Sequence, residues 1–333
     1  NITNNIALNN PSGVGIYGIS SPGTIVNNAN FTLGDQSVGI LNTGNGIATN
    51  NATIVVGNSD TGSKNYAIGM ATTTGKVVNS GSGVITVGAD GIGLFADGAN
   101  AQAENAGTIN IAGDRGMGIY LDHGAKGVNN GTITTVGTPT GAVGVVVQHK
   151  AELTNNGTIN LVDSASADKP NIGMFTEDKN TVIHNNKDII GGNNTYGIYG
   201  KTVNLSATGQ IKVGDNSVGI FSNGEYAAGS TPTIDLAANS KIEVGKNEAV
   251  GVFTTGENQV IKSEGDMKIG DGSYGFVIRG KGTKLFTHNP NGVTLGNDAT
   301  FAYSADKTGN IENKTTLTST GSKNYGIYAA GSV

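Results

Sequence analysis

The chain has 333 residues, of which 54 are Gly, 10 Tyr and 8 Phe, with no Cys or Trp, and its net charge is −5 at pH 7. Mild acidity without a basic stripe argues against a nucleic-acid partner, and the lack of any run of 18 apolar residues argues against a membrane-spanning helix. Val and Ile are spread evenly among turn-forming Gly, Asn, Asp and Ser, and no helical stripe persists. This mixture predicts an all-β fold.

The first predicted strand has the sequence GVGIYG at residues 13–18, and it recurs to the last predicted strand, NYGIY at 324–328. Aligning the copies on Gly15 gives 13 positions at steps of 22 to 32 residues, about 26 on average: Gly15, Gly39, Ala67, Gly93, Gly118, Gly144, Gly173, Gly197, Gly219, Gly251, Gly275, Phe301 and Gly326. The residues before and after this position are almost all apolar. Because they are two apart, both columns are expected to face the interior of a repeat protein.

A second strand motif lies between these copies, as in NAGTINI at 105–111, NNGTITT at 129–135 and NNGTINL at 155–161. It ends in an apolar pair such as Ile109 and Ile111, and a corner such as Gly214-Asp215 usually follows it. With a short third segment, such as residues 76–78, each step holds three short strands. The pattern predicts one continuous parallel β-helix over residues 1–333, with about 13 coils and no internal domain boundary. Both ends fall inside a repeat, so a fragment of a longer protein is expected.

A polar position recurs three residues before the Thr of the GTI motif or its equivalent. Asn stands there in most copies, namely Asn27, Asn50, Asn105, Asn129, Asn155, Asn185, Asn289 and Asn313, whereas other copies place Gly81, Ala207, Ala238 or Ser263 there. Stacked Asn side chains can bond to one another and to corner backbone groups. We therefore predict a structural ladder; a polar ligand-binding ladder is the alternative.

An aromatic column stands two residues after the aligned position, in nine of the 13 copies. Its members are Tyr17, Phe95, Tyr120, Phe175, Tyr199, Phe221, Phe253, Tyr303 and Tyr328. Strict alternation would point these rings outward, where they would suit sugar rings or a protein partner. The favoured interpretation is that the strand bends at the Gly and the aromatic rings stack inside the corner.

Loops are the other expected place for function, because solenoids carry binding surfaces as insertions. The longest steps contain SNGEYAAGSTP at 222–232 and DSASADKP at 163–170. Glu225 and Tyr226 are the predicted ligand-binding residues, since Tyr is enriched at interfaces and this loop is expected to be exposed.

No set of residues predicts catalysis, a metal or a cofactor. His123 and His149 are expected to be neighbours in adjacent coils and, with Asp122 and Lys150, form the best polar cluster, for which a solvated corner is favoured. No Cys/His set has zinc spacing, and the calcium-binding nonapeptide is missing. No catalytic residue, no metal and no cofactor are therefore predicted.

The alternating V-G-I-F/Y and N-x-G-T-I strands, which extend over essentially the whole chain, resemble the passenger regions of large type V autotransporter adhesins, especially the fusobacterial outer-membrane type. The resemblance implies a right-handed β-helix at the bacterial cell surface, anchored to the outer membrane through a C-terminal β-barrel absent from this chain. It also implies attachment to a host cell-surface protein or glycan, or to partner bacteria in coaggregation, and a monomer without nucleic acid is expected. The absence of Cys suits export across a periplasm.

The functional prediction is therefore a non-catalytic adhesin segment. The first alternative is a structural stalk that presents a distal binding tip, and the second is a polysaccharide-degrading β-helix enzyme.

Overall fold

The fold, taken from a computed structural model that describes residues 1–19, 22–305 and 308–329, is all-β. The described residues form 39 strands and no helix. Every three successive strands make one coil, which confirms the predicted fold class: a right-handed-type parallel solenoid of about 13 coils with three strands per coil. Contacts divide the chain into unit 1, Asn1–Phe175, and unit 2, Thr176–Val333. The predicted absence of a domain boundary stays a prediction.

Unit 1 contains seven coils of three strands each. Its strands are β1 (Ile2–Asn4), β2 (Leu8–Asn10), β3 (Val14–Gly18), β4 (Thr24–Asn27), β5 (Phe31–Leu33), β6 (Val38–Asn42), β7 (Ile47–Asn50), β8 (Thr53–Val56), β9 (Ile68–Thr72), β10 (Lys76–Asn79), β11 (Val84–Val87), β12 (Ile92–Asp97), β13 (Gln102–Asn105), β14 (Thr108–Ile111), β15 (Met117–Asp122), β16 (Lys126–Asn129), β17 (Thr132–Thr135), β18 (Val143–Val147), β19 (Glu152–Asn155), β20 (Thr158–Leu161) and β21 (Asn171–Phe175).

Unit 2 contains six coils of the same kind. Its strands are β22 (Val182–Asn185), β23 (Asp188–Gly191), β24 (Thr195–Tyr199), β25 (Thr202–Leu205), β26 (Gln210–Val213), β27 (Val218–Ser222), β28 (Ile234–Leu236), β29 (Lys241–Val244), β30 (Val250–Thr254), β31 (Val260–Ser263), β32 (Asp266–Ile269), β33 (Tyr274–Ile278), β34 (Lys284–Thr287), β35 (Val293–Leu295), β36 (Thr300–Ser304), β37 (Asn310–Asn313), β38 (Leu317–Ser319) and β39 (Tyr325–Ala329).

The first, second and third strands of successive coils form three parallel sheets within each unit. The second sheet follows the apolar-x-apolar pattern, so that every second residue of β14 is buried. Ile109 pairs in register with Ile85 on one side and Ile133 on the other, and none of the three is accessible to solvent. Stacking identical positions therefore builds the core, and burying each such side chain stabilises the fold by about 1.5–3 kcal/mol.

The third sheet departs from simple alternation at its Gly column. A Cβ atom built on Gly118 would lie 2.5 Å from the carbonyl oxygen of Gly144 and 2.7 Å from Cγ2 of Ile133. Both Gly118 and the next residue, Ile119, are buried, while Met117 and Tyr120 on either side of them are half-buried. The backbone thus bends so that two consecutive residues face inward, and at Gly118 the close approach of the next coil leaves no room for a Cβ atom.

This bend corrects two expectations from the sequence. The column before the Gly lies on the outer face, because Gly occupies the inward position itself. In the inner coils Met117 and Tyr274 are half-buried there, whereas Ile92, Val218 and Val250 are buried. The favoured interpretation that the aromatic rings stack inside the corner is also wrong. They lie on the outer face, where Tyr17 is 55% exposed and Phe95 and Tyr120 are half-buried.

The alignment of the third copy on Ala67 is wrong by two residues. In the structure Val38 pairs with Ile68 and Ile40 pairs with Met70, so Gly69 occupies the aligned position. The chain between β8 and β9 contains an extra turn in which Asp60 and Asn65 form an antiparallel bridge. This insertion changes the spacing between neighbouring copies, so the correct register could not be found from the sequence.

A column of Asn side chains runs through the corner after the first sheet of unit 1. We call it the amide ladder; its members are Asn4, Asn27, Asn50, Asn79, Asn105, Asn129 and Asn155, in register from strand to strand. Each Nδ2 donates to the Oδ1 of the next member over 2.7–3.1 Å. All except Asn4 are inaccessible to solvent. Asn79, rather than the expected Gly81, occupies the column.

The same column is mostly apolar or hydroxylic in unit 2. It contains Asn185, Leu205, Leu236, Ser263, Thr287 and Asn313. Leu205 and Leu236 replace the expected Ala207 and Ala238. Asn289 was placed in this ladder by the sequence but lies two residues beyond Thr287, because β34 continues as far as Thr287.

The part of the chain that the structure describes contains no helix of the length and apolarity needed to span a bilayer.

Candidate functional site

The outer face of the third sheet of unit 2 carries two adjacent columns of large side chains. One column is Tyr199, Phe221, Phe253, Val277, Tyr303 and Tyr328, and the other is Tyr196, Val218, Val250, Tyr274, Thr300 and Tyr325. We call these 12 residues the aromatic face. Eight of them are aromatic, and the sequence analysis identified only the first column because it expected the second to be buried.

The rings of the aromatic face contact one another along the sheet. The ring of Phe221 lies 4.8 Å from that of Tyr199 and 5.5 Å from that of Phe253, measured between centroids. Tyr303 stacks on Tyr328 at 5.5 Å with the ring planes 8° apart. Distances of this size are those at which aromatic pairs attract one another. The contacts hold the rings in place without a ligand.

A small apolar cluster lies beneath these rings, outside the central core. Val218, Val250 and Val277 are buried there, under the partly buried rings of Tyr196, Phe221, Phe253, Tyr274 and Tyr303. The β-branched side chains suit the pleated surface of a strand. Each ring thus has one side packed on valine and another side accessible to solvent, which is the arrangement of a preformed apolar platform.

A groove of about 420 Å³ runs across the aromatic face. It is lined by Glu248, Val250, Phe253, Tyr274, Val277, Arg279 and Tyr303. The Arg279 guanidinium carbon lies 5.4 Å from the centroid of the Phe253 ring, within range of a cation–π interaction. The groove therefore has an apolar floor and charged groups of both signs among its lining residues.

Two tyrosines of the aromatic face are held in their neutral form. Burial raises the pKa of Tyr196, and burial with the nearby Glu177 carboxylate raises the pKa of Tyr199. Both hydroxyls are protonated at neutral pH, as tyrosine hydroxyls ordinarily are, and each can donate and accept a hydrogen bond.

In the loop at 222–232, Glu225 and Tyr226 differ in their exposure to solvent. Glu225 is exposed, whereas Tyr226 is half-buried and its hydroxyl lies 2.8 Å from that of Thr202. The Tyr226 carbonyl accepts a hydrogen bond from Asn258 Nδ2 at 2.9 Å, and its amide donates to the Glu257 carbonyl at 3.1 Å. The expected exposure of Tyr226 is wrong, because these bonds hold the loop against neighbouring coils.

Tyr226 still has an accessible side in a second groove of about 320 Å³, lined by Thr202, Tyr226, Ala227, Gly229, Thr231, Pro232, Thr233, Asn258 and Val260. Neither Glu225 nor Tyr226 lines the groove of the aromatic face. A ligand-binding role for these two residues stays a prediction.

The Gly-Asp corners use their carboxylates as acceptors for backbone amides. Asp215 Oδ1 accepts the amide of Lys246 at 2.7 Å, and Asp271 Oδ1 accepts that of Asn297 at 3.0 Å. The bond from Asn297 lowers the pKa of Asp271. These carboxylates link one coil to the next and account for the recurrence of Asp at the corners.

A polar cluster in unit 1 brings together two histidines and two carboxylates. The rings of His123 and His149 stack at 5.0 Å, so the predicted adjacency of the two histidines is confirmed. Asp122 Oδ1 lies 2.6 Å from His149 Nδ1, and Asp97 Oδ1 lies 2.8 Å from His123 Nδ1. Asp97 was missed from the sequence, although it pairs in register with Asp122. The Asp97 carboxylate raises the pKa of His123.

A known family resembles the first part of the chain. The sequence model of a family described as the BigA third pectate lyase-like domain matches residues 1–130 and, in an overlapping second match, residues 114–188. The two matches together cover residues 1–188, which is more than half of the chain. No curated protein and no solved structure matches the chain significantly. The aromatic face, which begins at Tyr196, lies beyond the matched residues.

Proposed function

Because the chain belongs to the family of BigA third pectate lyase-like domains, we propose that it is a β-helical segment of a bacterial surface adhesin and that the aromatic face of unit 2 binds a saccharide. Family membership supports the coarser part of this proposal, a surface-exposed bacterial β-helix. The finer parts are that the segment belongs to an autotransporter passenger of the fusobacterial type, is anchored to the outer membrane, and mediates attachment to host cells or coaggregation.

The aromatic face is the observation that carries the binding proposal. Its eight rings lie on the outer face, and five of them, those of Tyr196, Phe221, Phe253, Tyr274 and Tyr303, pack against a small valine cluster. Apolar rings at the floor of a groove suit the C–H faces of pyranose rings, and Arg279 and Glu248 would bond to sugar hydroxyls. A protein partner, which would seat an apolar side chain in the same groove, is the competing occupant.

The two alternatives from the sequence apply to different parts of the molecule. The uninterrupted amide ladder supports a structural stalk role for unit 1. For catalysis, the words pectate lyase-like in the family description denote a fold. We propose a non-catalytic role because the groove of the aromatic face contains one carboxylate, Glu248, and polysaccharide hydrolysis ordinarily uses a pair.

The test is binding of the purified 333-residue chain to a panel of immobilised glycans and to host and bacterial cells, with free sugars as competitors. Binding that is saturable and sugar-competed is expected, and Phe253→Ala with Tyr303→Ala should weaken it at least tenfold. The matched control is Phe95→Ala, which removes a ring from the same column in unit 1, where Phe95 contacts Tyr120 at 5.7 Å.

Three outcomes would contradict the proposal. Cell binding that no sugar competes but that the double variant abolishes would make the occupant a protein. If Phe95→Ala weakens binding as much as the double variant does, the aromatic face of unit 2 is not the binding site. If the folded chain does not bind at all, the structural stalk role remains.

A further inference from the structure

The corner that follows β12, β15 and β18 in unit 1 collects ligand-type atoms on adjacent coils. Asp97 Oδ1 lies 2.8 Å from His123 Nδ1, His123 Nδ1 lies 3.4 Å from Asp122 Oδ1, and Asp122 Oδ1 lies 2.6 Å from His149 Nδ1. Oxygen and nitrogen therefore alternate along a short row. Coil stacking creates this row, because β12 and β15 pair Asp97 with Asp122, His123 follows Asp122 directly, and His149 lies two residues after Val147, the last paired residue of β18.

The row is held by hydrogen bonds, and it is compact enough for its members to move onto a metal ion. Asp122, His123 and His149 each offer one ligand atom, and the three atoms lie within 4.8 Å of one another. In a tetrahedral zinc site with bonds of about 2.0–2.1 Å, ligand atoms are separated by roughly 3.3 Å. An ion could therefore replace the shared protons with small side-chain rotations. Two imidazoles and a carboxylate favour Zn²⁺, Co²⁺ or Ni²⁺ over Mg²⁺ and Ca²⁺, which prefer oxygen ligands.

The corner also holds these side chains in position. Asp122 is 14% exposed, and one of its oxygens accepts the backbone amide of His123 at 2.8 Å while the other lies 3.4 Å from the Tyr120 hydroxyl. The His rings are already stacked within 12° of parallel. Such support of the ligating carboxylate is typical of metal sites, where surrounding hydrogen bonds orient the ligands.

Both histidines lie at corners with a left-handed backbone. His123 has a φ of +47° and His149 has a φ of +46°, as do other corner residues of this chain such as Arg115 at +54°, and one coil earlier Gly98 occupies the corresponding corner with a φ of +106°. This backbone conformation directs the two rings to the same place on adjacent coils, where both side chains are about two-thirds exposed and accessible to an ion.

We propose that Asp122, His123 and His149 form a binding site for one divalent transition-metal ion, with solvent at the remaining coordination positions. The carboxylate and two neutral imidazoles give the site a net charge of −1, which suits a dication. The ion would tie two successive coils of unit 1 together at one corner. This site is independent of the saccharide proposed for unit 2.

The test is titration of the purified chain with Zn²⁺ by calorimetry, and with Co²⁺ by visible absorption, at pH 7.5. One Zn²⁺ per chain is expected, with a Co²⁺ spectrum of a four-coordinate ion. His123→Asn and His149→Asn should each weaken Zn²⁺ binding at least tenfold, and Asn is chosen because it tolerates a positive φ. His288→Asn, which removes a histidine from unit 2, is the matched control and should bind like the unaltered chain.

A second readout does not depend on the variants being folded. In the unaltered chain, Zn²⁺ should shift the ring nitrogen resonances of His123 and His149 at Nδ1 and leave those of His184 and His288 unchanged. Binding that survives both His→Asn changes would mean adventitious surface binding and would overturn the proposal. The absence of stoichiometric Zn²⁺ binding would also overturn the proposal, as would resonance shifts at all four histidines.

Discussion

Unit 1 and unit 2 are built from the same kind of coil but differ in the residue types that occupy two of its columns. In unit 1 the corner after the first sheet is a continuous amide ladder, and the outer column before the Gly is aliphatic. In unit 2 Leu205 and Leu236 interrupt that ladder, and Tyr196, Tyr274 and Tyr325 enter the outer column. The repeat therefore determines where the side chain at each column points, whereas the residue type at that column can change from one set of coils to the next.

In each version of the corner, the hydrogen-bonding requirements of the side chains are met in a different way. Asn50 Nδ2 donates to Ala52 O at 2.7 Å and to Asn79 Oδ1 at 3.1 Å, and its Oδ1 accepts Asn27 Nδ2 at 3.0 Å and the Ala52 amide at 3.3 Å. Every hydrogen-bonding site of the amide is thus occupied. Leu205 and Leu236 are buried instead and need no such partners. Unit 2 contains one junction between the two versions, where the buried Asn185 pairs with Leu205 and its Nδ2 donates to the Lys187 carbonyl at 2.7 Å. Inside the amide ladder, a Leu would face Asn on both sides and remove two such bonds from buried groups.

The largest expected effect comes from forcing such a mixture in unit 1. Asn105→Leu removes the bonds from Asn79 Nδ2 at 2.9 Å and to Asn129 Oδ1 at 2.8 Å and leaves both groups buried. We expect the free energy of unfolding to fall by about 3–5 kcal/mol. Circular dichroism during urea unfolding measures it.

The exposed Asn28 is the control, because its side chain bonds at the surface to the side chains of Asn5 and Asn51, so Asn28→Ala should cost about 0.5 kcal/mol or less. Equal losses from Asn105→Leu and Asn28→Ala would mean that the ladder does not distinguish the corner of unit 1.

The next effect tests what the two units share. Gly118→Ala and Gly251→Ala would each place a methyl group against the carbonyl oxygen of the next coil, at 2.5 and 2.6 Å, so each should destabilise its unit by about 2–3 kcal/mol. Thermal unfolding of the two variants is the measurement. Gly81→Ala is the control, because nothing lies within 4 Å of its added Cβ. A loss confined to one unit would show that the bend is needed only there.

A smaller effect separates stability from binding on the outer face. Phe253→Ala removes ring contacts with Phe221 and Arg279, and Phe95→Ala removes a contact with Tyr120. Because all of these rings are half-buried, each change should cost about 1–2 kcal/mol in thermal unfolding. The losses should be similar in the two units, although only Phe253→Ala weakens saccharide binding. If Phe95→Ala alone left stability unchanged, the outer rings of unit 1 would have no structural role.

The smallest effect concerns a row of charges on the outer side of the second sheet, which unit 2 has and unit 1 replaces with Thr86, Asn110 and Thr134. Lys268 donates to Glu243 at 2.9 Å and lowers the pKa of that carboxyl, with Lys212 contributing at 3.3 Å. A lowered folded-state pKa gives a stabilisation that is present above the unfolded value of about 4.3 and is lost as the pH falls through the folded value.

Glu243→Gln should therefore cost a few tenths of a kcal/mol at pH 7 and nothing at pH 2, because this partly exposed row is well screened. Urea unfolding at both pH values, in low and in 0.5 M salt, measures the difference. A loss that does not decline with salt would mean that packing, not charge, is responsible.

The period of the repeat was enough to predict the coils and the inward residues of the second sheet, since both follow from alternation. It was not enough where the backbone departs from regular geometry. The bend at Gly118 needs a three-dimensional clash to be recognised, and the insertion that moves the register to Gly69 breaks the spacing on which the alignment depends. Asp97 and Tyr274 join their clusters only through coil stacking, so their neighbours lie a full coil away in sequence.

The in-register stacking of coils also bears on how such a chain can fold. Each strand pairs with one that lies a single coil away, 20 to 32 residues along the chain. Relative to the whole length that is a contact order of roughly 0.08, a value found in helical bundles rather than in ordinary β proteins. A completed coil offers the next one a template of backbone groups and inward side chains, so the chain can fold by sequential addition, at a rate set by its first coil.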